Sequence, residues 1–248
     1  MLALKGKYIL VTGASSGIGF ETAIHLSKIG ANLVITGRNP ERLSECFSKL
    51  ENDGHLQITA DLRNTDDVLK IFEYIKFNDV RLNGMVHCAG ISDVTPIKAL
   101  TREKLSSIFE TNFFSFIELV RQFCNKKYSN DYSSIVAVSA MLVHKPRPYE
   151  LAYIASKAAL EAAIPVIGME YKKRGLRINA VIPGFVKTAM VMENIEKFGN
   201  AEEMNRLAGE FLHGWEEPID IAKIIGFLMS EDASIINGRC IYADGGMI

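Results

Sequence analysis

Apolar and polar positions follow two patterns that alternate from one end of the chain to the other. Short apolar runs such as 8–11, 33–35 and 135–138 are separated by longer stretches in which apolar residues recur every three or four positions. The short runs are typical of strands buried on both faces, and the longer spacing is typical of amphipathic helices. The chain is therefore predicted to be an α/β protein in which helices cover both faces of a parallel sheet.

The predicted elements make residues 1–248 a single domain with one doubly wound, Rossmann-type parallel sheet. Short strands are predicted at 8–11, 33–35, 56–59, 85–88, 135–138, 177–182 and 240–243. Helices are predicted at 18–29, 40–50, 65–77, 101–128, 150–173 and 218–229. Pro165 should bend or locally break the fifth of these helices, because proline removes one backbone donor.

Residues 185–215 depart from this alternation and are mixed in character. A long insertion between the sixth strand and the last helix is typical of a substrate lid. The alternative is an ordinary surface excursion. The segment carries apolar side chains that suit a hydrophobic or acyl substrate, although lid packing or subunit contacts explain them equally well: Phe185, Met190, Met192, Phe198, Phe211 and Trp215.

Composition narrows the classes of partner. Basic and acidic residues nearly cancel, with a formal net charge of −1, so neither nucleic acid nor an anionic membrane is expected as a partner. The basic run 172–174 is interpreted as a solvated helix end. No apolar run approaches the roughly 20 residues of a membrane span, which predicts a cytoplasmic protein. The cysteines are scattered without metal-ligand spacing, so reduced thiols and no metal site are expected: Cys46, Cys88, Cys124 and Cys240.

Three glycines stand in a turn between the first predicted strand and the first predicted helix. The turn reads Thr12-Gly13-Ala14-Ser15-Ser16-Gly17-Ile18-Gly19. Glycine lets the chain turn sharply and lets backbone N–H groups approach a pyrophosphate, and the helix N-terminus adds a partial positive charge. Many strand-to-helix turns need one glycine. The position at the first strand-helix junction nevertheless favours dinucleotide binding over a plain turn.

Tyr153 and Lys157 are four residues apart in a predicted helix, which brings them to one helix face. An ammonium near a phenol favours the phenolate and should lower the pKa of the tyrosine toward neutral pH. A general acid and base for a carbonyl or an alcohol requires such a group. Taken alone, a Tyr/Lys pair on a helix is usually a surface pair. Its place downstream of the glycine turn, and after a strand ending in Ser139, favours the catalytic interpretation.

The TGxxxGxG spacing, with Ser139, Tyr153 and Lys157, resembles the short-chain dehydrogenase/reductase family, and in particular its 3-oxoacyl-acyl-carrier-protein reductase-like members. The resemblance implies that Tyr153 exchanges a proton with the substrate oxygen. It also implies that Lys157 holds the nicotinamide ribose and that Ser139 orients the substrate oxygen. By the same resemblance Asn112, in Glu-Thr-Asn-Phe, supports a water chain to the lysine; an ordinary polar helix residue is the alternative.

Further matches to the family extend over nearly the whole chain. They imply cofactor contacts by residues of the glycine turn and of three later segments: Gly13, Ser15, Ser16, Gly17, Ile18, Gly19, Asp61, Leu62, Cys88, Ala89, Gly90, Pro183, Gly184, Val186 and Thr188. Asp244-Gly245-Gly246 matches the family's tail. The one departure is Cys88, which stands where the family has an asparagine. Its effect is expected on local hydrogen bonding, because nothing nearby in sequence would activate a catalytic thiol.

The end of the second strand predicts NADP(H) as the cofactor, with NAD as the alternative. A ribose 2′-hydroxyl is usually held by an acidic residue at this position, but the sequence here is Gly37-Arg38-Asn39. The planar guanidinium of Arg38 suits a 2′-phosphate. Arg38 and Asn39 are therefore expected to contact the cofactor. The family's second NADP signal, a basic residue before the middle glycine of the turn, is missing, because Ser16 stands there.

The resemblance favours a carbonyl or alcohol substrate, and within that class a 3-oxoacyl group bound to a carrier protein. Lys126, Lys127 and Arg174 match positions at which such reductases present basic residues to an acidic carrier. A dehydrogenase of a sugar, polyol or steroid-like alcohol is the first alternative, because fold resemblance does not fix the substrate. A dinucleotide sensor without turnover is the second, and the presence of a proton donor argues against it.

The family resemblance implies a homotetramer or a homodimer. An apolar face of the long helices would form the interface, and core packing explains the same residues: Phe113, Phe114, Phe116 and Ile164.

Overall fold

The computed structural model describes residues 4–198, 201–209 and 214–246. In these ranges one sheet of seven parallel strands runs in the order β3-β2-β1-β4-β5-β6-β7. The strands are β1 (Tyr8–Thr12), β2 (Asn32–Gly37), β3 (Leu56–Thr59), β4 (Leu82–His87), β5 (Ser129–Val138), β6 (Arg177–Pro183) and β7 (Arg239–Ala243). Parallel pairing with helical connections is the doubly wound arrangement that the hydrophobic pattern predicted, so the fold class is confirmed.

The helices connect successive strands across the sheet. They are α1 (Gly17–Lys28), α2 (Pro40–Ser48), α3 (Thr65–Phe77), α4 (Arg102–Phe109), α5 (Ser115–Phe123), α6 (Leu151–Glu170), α7 (Ala189–Phe198), α8 (Ala201–Gly209) and α9 (Pro218–Met229). A π-helical segment, Glu110–Phe114, joins α4 to α5. The predicted helix at 101–128 is thus divided, and its end is wrong by five residues.

Each face of the sheet has its own hydrophobic core. On one face, strand residues pack against α3, α5 and α6, through buried side chains such as Phe72, Phe116 and Leu160. On the other face, α1, α2 and α9 contribute side chains such as Leu26 and Ile225. Because both faces are covered, the strands carry uninterrupted apolar runs.

The start of β5 and the path of α6 at Pro165 differ from the prediction for identifiable reasons. β5 begins at Ser129, six residues before the apolar run that marked it, because its first half is polar and pairs only at the sheet margin, where Leu82 lies opposite Ser129. Pro165 was expected to bend or locally break α6, and the break does not occur, because the helix is continuous through the proline. Ile164 and Ile167, on either side of the proline, are buried against the sheet, and this packing holds the helical path across one missing hydrogen bond.

Helix α6 is also the one described helix that is long and apolar enough to cross a membrane by length and composition. It packs against β6 and carries Tyr153 and Lys157, so its apolar character is that of a core helix. Among the described residues no cluster of His, Cys, Asp or Glu has the arrangement of a metal site.

The predicted insertion at 185–215 contains α7 and α8, with Phe185 and Trp215 at its two ends. The rings of Phe185 and Trp215 pack together with 5.6 Å between centroids. Phe211 lies outside the described residues, and the side chain of Phe198 is not described.

Helix α3 offers a matched test of the core. Phe72 has no exposed surface, whereas 87% of Phe77 on the same helix is exposed. Phe72→Ala should lower the free energy of unfolding by about 3–5 kcal/mol, because it removes transfer energy and leaves a cavity. Phe77→Ala should change it by less than about 0.5 kcal/mol. Urea denaturation followed by circular dichroism measures both. Similar losses in the two variants would contradict the assignment of the core face.

Candidate active site

A cavity of about 780 Å³ opens at the carboxyl edge of the sheet. The strand order changes direction between β1 and β4, and ligands of doubly wound sheets bind in the crevice at such a switch point. Eighteen of the residues predicted to bind cofactor line this cavity: Gly13, Ser15, Ser16, Gly17, Ile18, Gly19, Arg38, Asp61, Leu62, Cys88, Ala89, Gly90, Tyr153, Lys157, Pro183, Gly184, Val186 and Thr188. Ser139 lines the same cavity, whereas Asn39 and Asn112 do not.

The glycines of the turn after β1 are required by close backbone approaches. A Cβ on Gly13 would lie 2.7 Å from the backbone nitrogen of Ala89, and its φ of +68° is in the left-handed region. A Cβ on Gly19 would lie 2.3 Å from the carbonyl oxygen of Gly13. A side chain at either position would push the turn away from the end of β4.

The N-terminus of α1 faces this cavity without a capping side chain. Ser16 precedes the helix in extended conformation and caps nothing, and the first turn contains no acidic residue. By contrast, Asn39 and Asn64 cap α2 and α3 with their side chains. The free N–H groups and the positive end of the helix dipole at α1 therefore fit a phosphate group.

Charged groups gather where β2 and β3 end. Arg38 and Asp61 line the cavity, and Arg63 binds Asp61 through a salt bridge of 2.5 Å. Hydrogen bonding to Arg63, with a further contribution from Arg38, lowers the pKa of the Asp61 carboxyl. A Cβ on Gly37 would lie 3.0 Å from the Oγ of Ser15, so this strand end leaves little room for an acidic side chain. Asn39, predicted to contact cofactor, instead accepts a hydrogen bond from the Arg42 backbone at 2.7 Å.

The end of β4 is packed tightly beneath the glycine turn. Cys88 lies against Gly19, and burial raises the pKa of its thiol to about 12, which fits the expectation that it is not a nucleophile. The adjacent His87 is fully buried, and burial lowers its pKa to about 3. Its ring is therefore neutral and pairs with Thr12 through Nδ1 at 3.1 Å.

Asn112 is buried in the π-helical segment. Its amide nitrogen donates to the carbonyl of Ile91 at 2.9 Å and to Ser156 Oγ at 3.0 Å, and its oxygen accepts from the Ile91 N–H at 2.8 Å. π-helical insertions commonly occur at functional sites because they re-aim a side chain. Here the π-helical segment directs the Asn112 side chain toward the loop after β4. Through its hydrogen bonds to Ile91, Asn112 holds this loop beside Lys157.

Tyr153, Lys157 and Ser139 meet in the cavity. The Lys157 Nζ lies 5.9 Å from the centroid of the Tyr153 ring and donates to the carbonyl of Val138, the last residue of β5, at 2.8 Å. Burial lowers the pKa of Lys157 to about 8. Lys157 is only 4% exposed, and the nearby Cys88 and Glu161 raise its pKa against the effect of burial.

The expected lowering of the Tyr153 pKa does not occur in the chain itself. Burial raises the pKa of Tyr153, the carboxyl of Glu150 raises it further, and Arg147 opposes the shift. Lys157 exerts no such effect, because its ammonium lies over the ring and is turned to the Val138 carbonyl. The phenol therefore carries its proton at neutral pH.

Glu216 holds the loop after β6 to the segment that precedes α9. Its backbone pairs with Phe185 and Lys187, and its carboxylate accepts from the Gly184 N–H at 3.1 Å. Thr188 reaches the glycine turn, since a Cβ on Gly17 would lie 3.1 Å from its Cγ2. The loop thus closes one wall of the cavity opposite α1.

Comparison with known proteins supports this geometry. A family model described as enoyl-(acyl carrier protein) reductase matches residues 13–248. The chain is 30% identical to the 3-oxoacyl-acyl-carrier-protein reductase FabG of Rickettsia bellii, over 100% of this chain and 99% of that protein. It is 31% identical to glucose 1-dehydrogenase of Gluconobacter oxydans, over 98% of this chain and 92% of that protein. A solved structure described as a short chain dehydrogenase/reductase family protein is 30% identical, covers 98% of this chain and 97% of its own, and has a TM-score of 0.86.

The chain belongs to the short-chain dehydrogenase/reductase family. It is therefore an oxidoreductase, and its family uses a nicotinamide dinucleotide cofactor. The uncapped α1 N-terminus and the glycine turn fit the pyrophosphate of such a cofactor.

Several residues of this short-chain dehydrogenase/reductase site were missed by sequence reasoning. Arg147 and Glu150 line the cavity as an ion pair of 2.9 Å, three residues apart. Glu161 contacts Ser139, and His144 contacts Glu161. The spacing of Tyr153, Lys157 and Glu161 along one helix face could have indicated Glu161. No comparable signal pointed to Arg147 or His144, because loop conformation places them.

The basic residues suggested for carrier binding lie elsewhere in the molecule. Lys126 and Lys127 precede β5 and Arg174 precedes β6, at the opposite edge of the sheet from the cavity. Arg174 donates to the carbonyl of Cys124 at 2.6 Å and pairs with Asp131. Within one copy of the chain these three residues therefore do not border the cavity.

The carboxyl of Glu216 should make the stability of the protein depend on pH. Burial raises the pKa of its carboxyl to about 7, opposed by the Gly184 N–H and reinforced by Asp244 and Asp220. The folded state then binds more protons than the unfolded state between about pH 4.5 and 7, so stability falls as pH rises through this window. Glu216→Gln keeps an oxygen that accepts the hydrogen bond from the Gly184 N–H, but glutamine does not titrate. The variant should therefore not lose this stability as pH rises. The difference in unfolding free energy between pH 5 and pH 8 should shrink by about 1–3 kcal/mol.

Urea denaturation at the two pH values measures that difference. Glu202→Gln, an exposed carboxyl on α8, is the matched control and should leave the pH dependence as it is in the wild type. A pH dependence unaltered by Glu216→Gln would contradict the assignment.

Proposed function

We propose that the chain reduces a carbonyl to a hydroxyl with NADPH, with a 3-oxoacyl thioester as substrate and Tyr153 as proton donor. One observation carries the proposal: a single cavity joins the uncapped N-terminus of α1 to Ser139, Tyr153 and Lys157. When bound, the nicotinamide supplies the hydride. The protein's own groups then have to position the carbonyl and deliver a proton to its oxygen.

The protonation of Tyr153 supports the reducing direction. A carbonyl oxygen that receives a hydride at its carbon must also receive a proton, and the phenol carries one because its pKa is raised. Lys157 lines the same cavity, and in this proposal it holds the nicotinamide ribose. Asn112 supports this arrangement indirectly, by fixing the loop next to Lys157.

NADPH is supported by the end of β2. Arg38 lines the cavity, and Gly37 replaces the carboxylate that would repel a 2′-phosphate. Asp61, an acidic residue that also lines the cavity, is paired with Arg63. The guanidinium of Arg63 therefore partly compensates the negative charge of Asp61, which would otherwise repel a 2′-phosphate.

The substrate is proposed from the lining beyond Ser139. Apolar side chains from the loops after β5 and β6 and from α7 form this part of the cavity: Met141, Leu142, Phe185, Met190 and Ile195. Such a surface suits an acyl chain. The relatives named as 3-oxoacyl-acyl-carrier-protein reductases agree with it. Helix α7 acts as the lid in this proposal, and an acyl chain carried by coenzyme A or by a carrier protein would be accepted.

A dehydrogenase of a sugar or polyol is the second candidate. The ion pair of Arg147 and Glu150 gives the cavity polar groups that hydroxyls could bind, and one relative is named glucose 1-dehydrogenase. A panel of 3-oxoacyl thioesters, simple ketones and sugars with NADPH and NADP+ distinguishes the two. Turnover restricted to sugars would replace the acyl proposal, and cofactor binding without any turnover would leave a sensor.

We also propose a cytoplasmic homotetramer or homodimer. Phe114 is 49% exposed next to the π-helical segment, whereas Phe116 and Ile164 are fully buried and belong to the core. Light scattering measures the mass of the assembly.

Tyr153→Phe should abolish proton delivery while leaving the ring and its packing in place. We expect kcat to fall by a factor of about 10²–10⁴, as for loss of a general acid. NADPH affinity, measured by quenching of nicotinamide fluorescence, should remain within about twofold. Turnover equal to that of the wild type would remove Tyr153 from the mechanism.

Arg38→Asp should change the cofactor preference. An aspartate at this position repels a 2′-phosphate and accepts a hydrogen bond from a 2′-hydroxyl, so the ratio of kcat/KM for NADPH to that for NADH should fall by about 10²-fold or more. Arg102→Asp, an exposed arginine at the start of α4, is the control and should leave the ratio unchanged. A wild-type preference for NADH would overturn the NADPH proposal.

A further inference from the structure

An ion pair that the proposed reaction does not use lies at the opening of the cavity. Arg147 and Glu150 both line the cavity, with 2.9 Å between Arg147 Nη2 and Glu150 Oε1. The side chain of Arg147 is 35% exposed, whereas that of Glu150 is 8% exposed. The guanidinium therefore lies where the cavity meets solvent, and the carboxylate is the inner member of the pair.

The loop that carries this pair has an unusual backbone conformation. Tyr149, next to Glu150 in sequence, has a φ of +72°, in the left-handed region that a tyrosine rarely adopts. Its carbonyl accepts a hydrogen bond from the Thr95 N–H at 2.7 Å. Glu150 is the N-cap of α6, but its side chain caps no backbone group and turns to Arg147. Strained backbone of this kind is common at ligand sites, and here the loop favours the ion pair over the capping of α6.

The pair is close both to the proton donor and to the apolar lining. Besides burial, which has the largest effect, the carboxyl of Glu150 raises the pKa of Tyr153 and the guanidinium of Arg147 lowers it, so both charges are near the phenol. The guanidinium carbon of Arg147 lies 5.8 Å from the centroid of the Phe185 ring, a distance at which a cation and an aromatic face attract each other. A substrate whose reacting oxygen lies at Tyr153 therefore has its neighbouring atoms near Arg147.

The charge balance of the pair indicates which group it would bind. A guanidinium has five N–H donors in a fixed plane, so a bond to Glu150 is compatible with a further bond to a ligand oxygen. Because the carboxylate of Glu150 balances the charge of Arg147, the pair offers donors without a net charge. Such a pair suits a neutral carbonyl oxygen better than a carboxylate, which Glu150 would repel.

We propose that Arg147 binds the thioester carbonyl next to the 3-oxo group of the substrate, and that Glu150 is a positioning residue that makes this recognition selective for a neutral acyl group. This inference rests on the proposed function, in which Tyr153 protonates the 3-oxo oxygen. The thioester is the part of the substrate that leads out to its carrier, and Arg147 lies at the opening of the cavity. The acyl chain on the other side of the 3-oxo group then contacts the apolar lining.

Loss of Arg147 should affect only ketones that carry the second carbonyl. Arg147→Met removes the donors, and kcat/KM with NADPH is compared for two substrates. One is acetoacetyl-N-acetylcysteamine, a 3-oxoacyl thioester, and the other is 2-pentanone, a methyl ketone without a second carbonyl. We expect kcat/KM for the thioester to fall about 10- to 100-fold, the size of one hydrogen bond from a charged donor, and that for 2-pentanone to change by less than about twofold.

Arg121→Met is the matched control. Arg121 forms the same kind of ion pair with Glu118, three residues away and at 2.6 Å, and neither residue lines the cavity. The control should leave both kcat/KM values unchanged. Burial already raises the pKa of Glu150, so its carboxyl can take up a proton when Arg147 is removed, and Arg147→Met is expected to fold. Equal losses for the thioester and for 2-pentanone would show a merely structural role and would overturn the proposal.

Glu150→Gln tests the charge balance and keeps the experiment decisive if Arg147→Met does not fold. Glutamine keeps an oxygen that can accept from Arg147 but removes the negative charge, so the pair becomes positive and should accept a carboxylate. The ratio of kcat/KM for acetoacetate, the free acid, to that for the thioester should rise by about tenfold. Any change in the acidity of Tyr153 acts on both substrates and cancels in this ratio. An unchanged or lower ratio would contradict the role given to Glu150.

The wild-type protein separates this inference from the function on which it rests. If the wild type does not reduce the thioester, the proposed substrate class is wrong, and the role of Arg147 is lost with it. If the wild type reduces the thioester but neither variant changes its ratio, the proposed function stands and only the role of the ion pair is overturned.

Discussion

The site depends on how closely the carboxyl ends of β1 and β4 approach each other. Gly13 and Ala89 are in backbone contact there, and a single methyl group on Gly13 would lie 2.7 Å from the Ala89 nitrogen. Because the sheet is parallel, the ends of its strands fall on one edge, and this contact brings the turn before α1 against the loop before Asn112. Cofactor groups and catalytic groups thus share one crevice although they come from distant parts of the chain.

Burial controls the charge of the reacting groups. It raises the pKa of Tyr153 and lowers that of Lys157, so both shifts disfavour the charged form. A phenol that keeps its proton suits the donation step of a reduction. The ammonium of Lys157 donates to the Val138 carbonyl, which fixes its position in the site. The protein therefore arranges these two groups through the packing of α6 against the end of β5.

Carboxylates fix the two loops that surround the reacting groups. Glu216 binds the backbone of Gly184 on one side, and Glu161 binds Ser139 on the other. Each is largely buried, and each accepts a hydrogen bond from a residue that lines the cavity. Positioning of this kind acts on orientation and affinity, while the proton itself passes through Tyr153 in the proposed reaction.

The sequence by itself determined the alternation of strands and helices, the glycine turn and the Tyr153–Lys157 pair, because each of these is a pattern of neighbouring residues with a local physical cause. It did not determine the path of α6 through Pro165, the π-helical segment around Asn112 or the distance of Arg174 from the cavity. Nor did it indicate the bond between Ser139 and Glu161, which are 22 residues apart. Those features were decided by tertiary structure, since burial and the directions of hydrogen bonds exist only after the helices have packed on the sheet.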